Sequence, residues 1–391
     1  MAPTMDFFGS SLVSAYWNGA ATYYRGIIRA LDARGWQVTF FEPDAFDRQA
    51  HRDIPDPPWA RVVVYQPTSG GLQRALDAAA GADVLVKASG VGVCDTDLEA
   101  ALPAMRRPGQ VCLFWDVDAP ATLERLENAP LDPLRTHIPS FDLVLTYGGG
   151  TPVVTRYRAL GARDCVPIYN ALDPRTHHPV PLEDAYRADL SFLGNRLPDR
   201  EARVREFFLT AAAARPNRSF LLGGNGWRAD ETPPNVTVLG HVPTGAHNTF
   251  NCSALAVLNI NRSSMARTGF SPATRVFEAA GAGACLITDA FEGVEAFLAP
   301  GEEVLVADNG ADVVAILDAL TPARALAIGR AARARVLAEH TYEHRVVQLE
   351  HVLDSALAGS PRCSPRSVSS FSVSPSRPPG ETDMPPRTAV S

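Results

Sequence analysis

The stretch from Phe270 to Val306, FSPATRVFEAAGAGACLITDAFEGVEAFLAPGEEVLV, admits few folds. A helix pattern over Thr274 to Ala282 puts Val276, Phe277 and Ala280 on one face. Gly281 and Gly283 lead into a short apolar strand, Ala284 to Thr288, and a turn, Asp289 to Gly293, opens a second helix at about Val294. Ser271-Pro272 marks the start of the first helix. A helix, a buried strand, a loop and a helix in succession predict an α/β domain with a parallel sheet. Ligands of such domains bind beyond the carboxyl ends of the strands. Arg275 and Glu278 near the first helix, and Asp289, Glu292 and Glu295 around the turn, are the polar residues at those places.

The remainder of the chain repeats this architecture. With 391 residues it is long enough for two domains of ordinary size. Hydrophobic content of 46% and charged content of 20% are those of a soluble folded protein. A net charge of −7 argues against non-specific nucleic-acid binding. Lys87 is the single lysine, and the six cysteines keep neither CxxC nor metal-ligand spacing, which fits a reducing cytoplasm. No apolar run reaches the ~20 residues of a membrane span, and Met1 to Gly19 lacks the basic start and apolar core of a signal peptide.

In the first half, Met5 to Val13 reads as a strand and Ser14 to Gly19 as a small-residue loop. A helix follows from Ala20 to Ala33, and then the strand Trp36 to Phe41. Loops of this kind bring backbone close to a phosphate or sugar at a helix N-terminus. Further strands are expected at Arg61 to Tyr65, Asp83 to Lys87, Val111 to Trp115, Phe141 to Tyr147 and Cys165 to Ile168. The fourth of these six strands to follow the first runs into Asp116-Val117-Asp118-Ala119-Pro120. Two acids there suit general-base work or sugar hydroxyls, while the plain alternative has Asp118 capping the next helix. Tyr169 to Pro181 reads as a hinge linker; His177-His178 within it finds no carboxylate or Cys at ligand spacing.

The second half restarts with a strand over Ala188 to Leu193 and the loop Gly194 to Arg200, which carries Arg196. Ser219 to Leu222 leads into a glycine loop containing Gly224, and Ala254 to Asn261 leads to Arg262. Arg200, Arg262 and Arg275 together would make an electropositive pocket for a diphosphate; the alternative is three scattered surface arginines. Helices are expected over Gly310 to Leu320, Pro322 to Glu339 and His344 to Leu357, and from Gly359 the Ser/Pro/Arg-rich composition is that of a disordered tail.

These motifs resemble CgeB-like glycosyltransferases of the GT-B type, related to glycosyltransferase family 4. The resemblance is carried by SPATRVFEAAGAG followed by TDAFEGVE, by the NGAATYYR opening, by the DVDAP run and by the LGHV turn. It implies two Rossmann-like domains facing across a cleft: an acceptor-side domain at 1–174, a nucleotide-sugar-binding domain at 175–340, a terminal helix at 341–357 that crosses back, and the tail at 358–391. It also implies that Glu278 binds ribose and that Arg200 takes the place of a lysine that meets the donor diphosphate. Gly194, Arg196, Gly224, Arg262, Arg275, Glu292 and Gly293 would surround the donor, and Asn18, Gly19, Arg25 and Asp116 would face the acceptor side. Asp118 is the candidate catalytic residue. Phe270 stands where larger family 4 enzymes carry another glutamate.

The expected function is transfer of a sugar from a nucleotide-sugar donor to an acceptor, with no metal and with retention of configuration, in the bacterial cytoplasm. Fixed positive charge would meet the leaving diphosphate. A redox reading would require GxGxxG with an acid some twenty residues on, and neither half has it. Two other classes remain: a GT-B-shaped binding or envelope- or spore-associated protein without turnover, and a sugar-nucleotide epimerase.

Overall fold

The computed structural model describes residues 2–16 and 18–359, the last two without their side chains. The Ser/Pro/Arg-rich stretch expected to be a disordered tail, with Cys363, lies outside the described residues. Among the described residues, thirteen strands form two sheets. The first is built from β1 (Thr4–Phe8), β2 (Gln37–Pro43), β3 (Arg61–Tyr65), β4 (Val84–Ala88), β5 (Val111–Asp116), β6 (Leu143–Thr146) and β7 (Cys165–Pro167), in the spatial order β3-β2-β1-β4-β5-β6-β7. The second holds β8 (Ala188–Leu193), β9 (Phe220–Gly223), β10 (Val236–Gly240), β11 (Ala254–Asn259), β12 (Leu286–Asp289) and β13 (Leu305–Ala307), in the order β10-β9-β8-β11-β12-β13. Every pairing is parallel, from Met5 opposite Val84 in the first sheet to Ala188 opposite Ala254 in the second.

The central strands are largely apolar because helices cover both faces of each sheet. All six residues of β5, VCLFWD, are buried. Between the first sheet and the helix Ala21–Ala33, Phe7 packs on Tyr24, Phe40 and Trp115 with ring centroids 5.2–5.6 Å apart. Two polar tips beside that cluster are satisfied in series: Trp115 Nε1 donates to the Tyr23 hydroxyl (3.0 Å), which donates to the Ile168 carbonyl (2.7 Å).

The chain ends by returning to the first sheet. The helix Tyr342–Gly359 places Tyr342, Val346, Leu349 and Leu353 in the same core as Phe7 and Trp115. Gly26 makes this approach possible, since a Cβ there would lie 2.2 Å from the Tyr342 ring. Trp36 and Arg34 hold the outer side of the helix through Glu350.

Several boundaries differ from the sequence expectation. The first strand stops at Phe8, because Ser10 to Ser14 turn away to build a loop held by the Glu42 carboxylate on Leu12 N (2.6 Å) and Ser11 Oγ (3.1 Å). The expected helix at Val294 is a single 3₁₀ turn, Val294–Ala296. The strand expected from Ala284 is shorter, Leu286–Asp289. In both sheets the order changes direction between the first strand and its later-formed neighbour, β1/β4 and β8/β11. These are the switch points at which open parallel sheets bind ligands.

Candidate functional site

A cavity of about 680 Å³ lies between the two sheets, walled by the loops at their switch points. From the first sheet come Ser10, Asn18 and Gly19 after β1, Ser89 and Gly90 after β4, Asp118 after β5 and Tyr147 after β6. From the second come Asn195 and Arg200 after β8, and Asn261 and Arg262 after β11. Ala273 and Thr274 add the N-terminus of the helix Thr274–Gly281, an end that favours negative charge.

Arg200 is a poorly compensated charge here. Its Nη2 donates to the Asn195 carbonyl (2.6 Å), but among the described residues no carboxylate comes within ion-pair distance, and its buried Nε has no partner. Burial, with Arg275 and Arg262 nearby, pulls the guanidinium down to about 10, so it is still charged at neutral pH. Arg262 spans the cleft instead, pairing with Asp118 of the first domain and with Asp199 (2.5 Å) of the second. Burial works against its charge, but the two carboxylates outweigh it and hold it firmly protonated. Asp118 occupies the cap position of the helix Ala119–Asn128 without capping it. One oxygen meets Arg262 and the other, Oδ1, is buried without a partner; burial raises its pKa against the pull of Arg262.

Other residues named from the sequence stand elsewhere. Asp116 is a correction to the expected cleft-facing role. It is fully buried, taking Ser89 Oγ (2.7 Å), Thr122 Oγ1 (3.0 Å), Asp118 N (3.0 Å) and the Tyr157 hydroxyl, so it positions Asp118 from behind the wall. Arg25 also turns away from the cleft, forming a two-pronged pair with Asp53 and donating to Leu12 O. Arg196 joins a surface network with Glu201 and Glu231 and stacks by Trp227, so its loop reaches the cavity through Asn195 rather than through the arginine. The Asn18 side chain lines the cavity but is occupied by Ser10 Oγ, Ser11 O and Ser14 O.

Gly194 and Gly224 pack against each other: Gly224 has φ +118, and a Cβ on it would lie 2.2 Å from Gly194 O. Gly293 has φ +85 because the Phe270 ring covers it, and Phe270 N donates to Glu292 O (2.6 Å), while the Glu292 side chain is exposed. Phe270 O accepts Gly149 N (2.7 Å) and its ring also crowds Gly150, so this residue joins the two domains. Arg275 and Glu278 lie behind Thr274, deeper along its helix. Burial pushes the Glu278 carboxyl up, but His177, Arg275 and His247 together bring it below the usual range.

Sequence reasoning passed over four contributors. Asn195 and Asn261 line the cavity, and Asn261 keeps a buried Nδ2 without a partner; its backbone is anchored on the buried Asp289, itself paired with Arg203 (2.5 Å). Asp95 and Glu99 also line the cavity and together hold the fully buried Lys87. An acid in the first turn after a glycine loop was the available signal for Asp95.

Comparison with known proteins agrees with this geometry. Residues 200–351 match a family described as glycosyl transferase-like. Sucrose-phosphate synthase from Thermosynechococcus elongatus superposes with a TM-score of 0.67 at 15% identity, over 92% of this chain and 100% of that one. The Anabaena protein Alr3699/HepE, solved with UDP-glucose, gives 0.63 at 14% identity, over 90% of this chain and 99% of that one. An α-glucosyltransferase solved with UDP-glucose and DNA containing an abasic site gives 0.65 at 10% identity, over 91% and 99%. No curated protein matches in sequence. The architecture is thus the GT-B fold, and residues 200–351 are similar to a glycosyl transferase-like family. No helix among the described residues is long and apolar enough to cross a membrane.

Proposed function

We propose that the protein transfers a sugar from a nucleotide-sugar donor to an acceptor bound on the first domain's side of the cleft. The observation that carries this is Arg200: a half-buried guanidinium with no ion-pair partner among the described residues, in an interdomain cavity, at the switch point of the second sheet and beside a helix N-terminus. A diphosphate supplies the negative charge that this arrangement lacks, and the same charge grows as the nucleotide leaves. In this reading Arg200 and Arg262 hold the diphosphate with no metal at that position, Arg275 adds charge from behind, and Glu278 meets the ribose. Asp118 hydrogen-bonds the sugar or the acceptor hydroxyl. Residues 1–174 then serve the acceptor and 175–340 the donor, on the CgeB-like pattern and with retention of configuration.

A second reading, binding without turnover, is favoured by one observation. Phe270 fills the place of a glutamate and packs between Gly150 and Gly293. Thermal shift against UDP-, GDP-, ADP- and dTDP-sugars tests the binding common to both. Stabilisation by one nucleotide class, lost in Arg200→Ala, supports donor binding; no stabilisation by any of them overturns it. Release of free nucleotide from the stabilising donor then separates turnover from binding alone.

A further inference from the structure

His177, expected in a polar hinge, is buried instead, at 4% exposure. It packs against two residues from distant parts of the chain. His247 opens the helix His247–Ser253, and Glu278 lies inside the helix Thr274–Gly281. One nitrogen from each histidine and one oxygen of Glu278 all fall within 4.8 Å of one another, with His177 Nε2 3.9 Å from Glu278 Oε1.

The ring orientations are set from outside the cluster. His177 Nδ1 is engaged by Thr176 Oγ1 (3.0 Å), which leaves Nε2 toward Glu278. His247 Nε2 lies 3.3 Å from the Val242 carbonyl; the proton belongs there, and Nδ1 keeps a lone pair. Metal-binding histidines are commonly held this way, through the nitrogen that does not bind the ion.

Glu278 completes the argument. It is buried, yet among the described residues it accepts no hydrogen bond and no guanidinium comes within ion-pair distance. Arg275 is the nearest guanidinium acting on it, and its Nη1 points to Asn251 Oδ1 at 3.5 Å. A buried carboxylate left in this state calls for a cation. Two imidazole nitrogens and one carboxylate suit zinc-class ions, whereas calcium and magnesium prefer all-oxygen shells.

We infer that His177, His247 and Glu278 form a binding site for a divalent transition-metal ion, with three protein ligands and an open fourth position. Zinc bonds of about 2.1 Å put tetrahedral ligands about 3.4 Å apart, so the cluster closes by roughly an ångström, a rotamer-scale motion. The bound ion clips the linker around His177 to two helices of the second domain. This inference does not rest on the nucleotide-sugar reading and competes with its assignment of Glu278 to the ribose, because the ion claims the same carboxylate.

The test uses tag-free, chelator-stripped full-length protein. Zinc chloride is titrated calorimetrically, retained zinc is counted by mass spectrometry, and cobalt(II) is followed by visible absorption. Expected are about one equivalent of zinc per chain and an intense visible cobalt band of low coordination number. His177→Ala and His247→Ala should each weaken zinc binding at least about 100-fold, beyond what loss of a supporting partner costs. Retention below a tenth of an equivalent, unchanged affinity in both variants, or a sulfur-to-cobalt charge-transfer band that moves the ion to a cysteine would each overturn it. His177 lies on the linker outside both sheets, so His177→Ala decides the matter if His247→Ala does not fold. Nucleotide-sugar binding is measured on the same stripped protein, and its failure leaves the zinc result standing.

Discussion

Arg200→Met separates a binding charge from a structural one. Burial beside Arg275 and Arg262 pulls the guanidinium down from its ordinary value to about 10. At 1.36 kcal/mol per unit this corresponds to at most about 3 kcal/mol by which the charged form destabilises the fold. For a base depressed on folding, that cost is fully present at pH 7 and fades only as the pH rises above about 10. Methionine keeps the stem beside the Phe192 ring, which the guanidinium approaches at 5.7 Å, and gives up the bond to Asn195 O, a loss of roughly 1.5–3 kcal/mol. The difference leaves the unliganded variant as stable as the parent or more stable by about 1 kcal/mol, a rise of ~2–4 °C in melting temperature. Nucleotide affinity moves the other way. Losing a charged hydrogen bond to the diphosphate costs about 1.5–3 kcal/mol, or roughly 10- to 150-fold in Kd. Scanning calorimetry without ligand, and titration with UDP, GDP and ADP in parallel, read the two effects. A melting temperature lowered by several degrees, or an unchanged Kd for the nucleotide that binds, would refute the assignment.

Three further outcomes follow from the same structure. Asp118→Asn removes the charge facing Arg262 and lowers turnover of the donor about 100-fold or more, while stability changes by no more than ~1 kcal/mol because the pair is partly exposed; steady-state nucleotide release measures the first and denaturant unfolding the second. Gly26→Val drives a side chain into the Tyr342 ring, destabilising by about 1–3 kcal/mol and exposing the terminal helix Tyr342–Gly359 to limited proteolysis. Asp6 is raised by burial to about 6, so its contribution to stability is present while it is protonated and is lost as the pH rises through that value. Asp6→Asn should therefore stabilise the protein by about 2 kcal/mol at pH 7.5 and leave it unchanged near pH 4, as read by urea unfolding at the two pH values.

Repeating strands and helices were legible from residue order because each element carries its own period. VCLFWD at β5 cannot be solvated on either face, and TRVFEAAG places its apolar residues on one side of a helix. Strand ends running into polar or glycine-containing loops marked the walls of the cavity; Asp118 and Arg262 were named from their places beyond strands, and Arg200 from the turn shared with the resembled family. Which way a charged side chain points was not legible. Arg25 within a helix, Arg196 on a loop and Asp116 at the end of β5 each found a partner, Asp53, Glu201 or Tyr157, that holds the side chain out of the cavity.

By itself, then, the sequence determined two parallel-sheet halves, the loops that face one another and the residue types along them, because periodicity and turn chemistry are local properties. Only the tertiary structure decided which of those charges remain uncompensated, because ion pairing and burial depend on residues brought together from distant positions. That is why Arg200 is left open in the cleft, and why His177, read as part of a hinge, meets His247 and Glu278 in the interior.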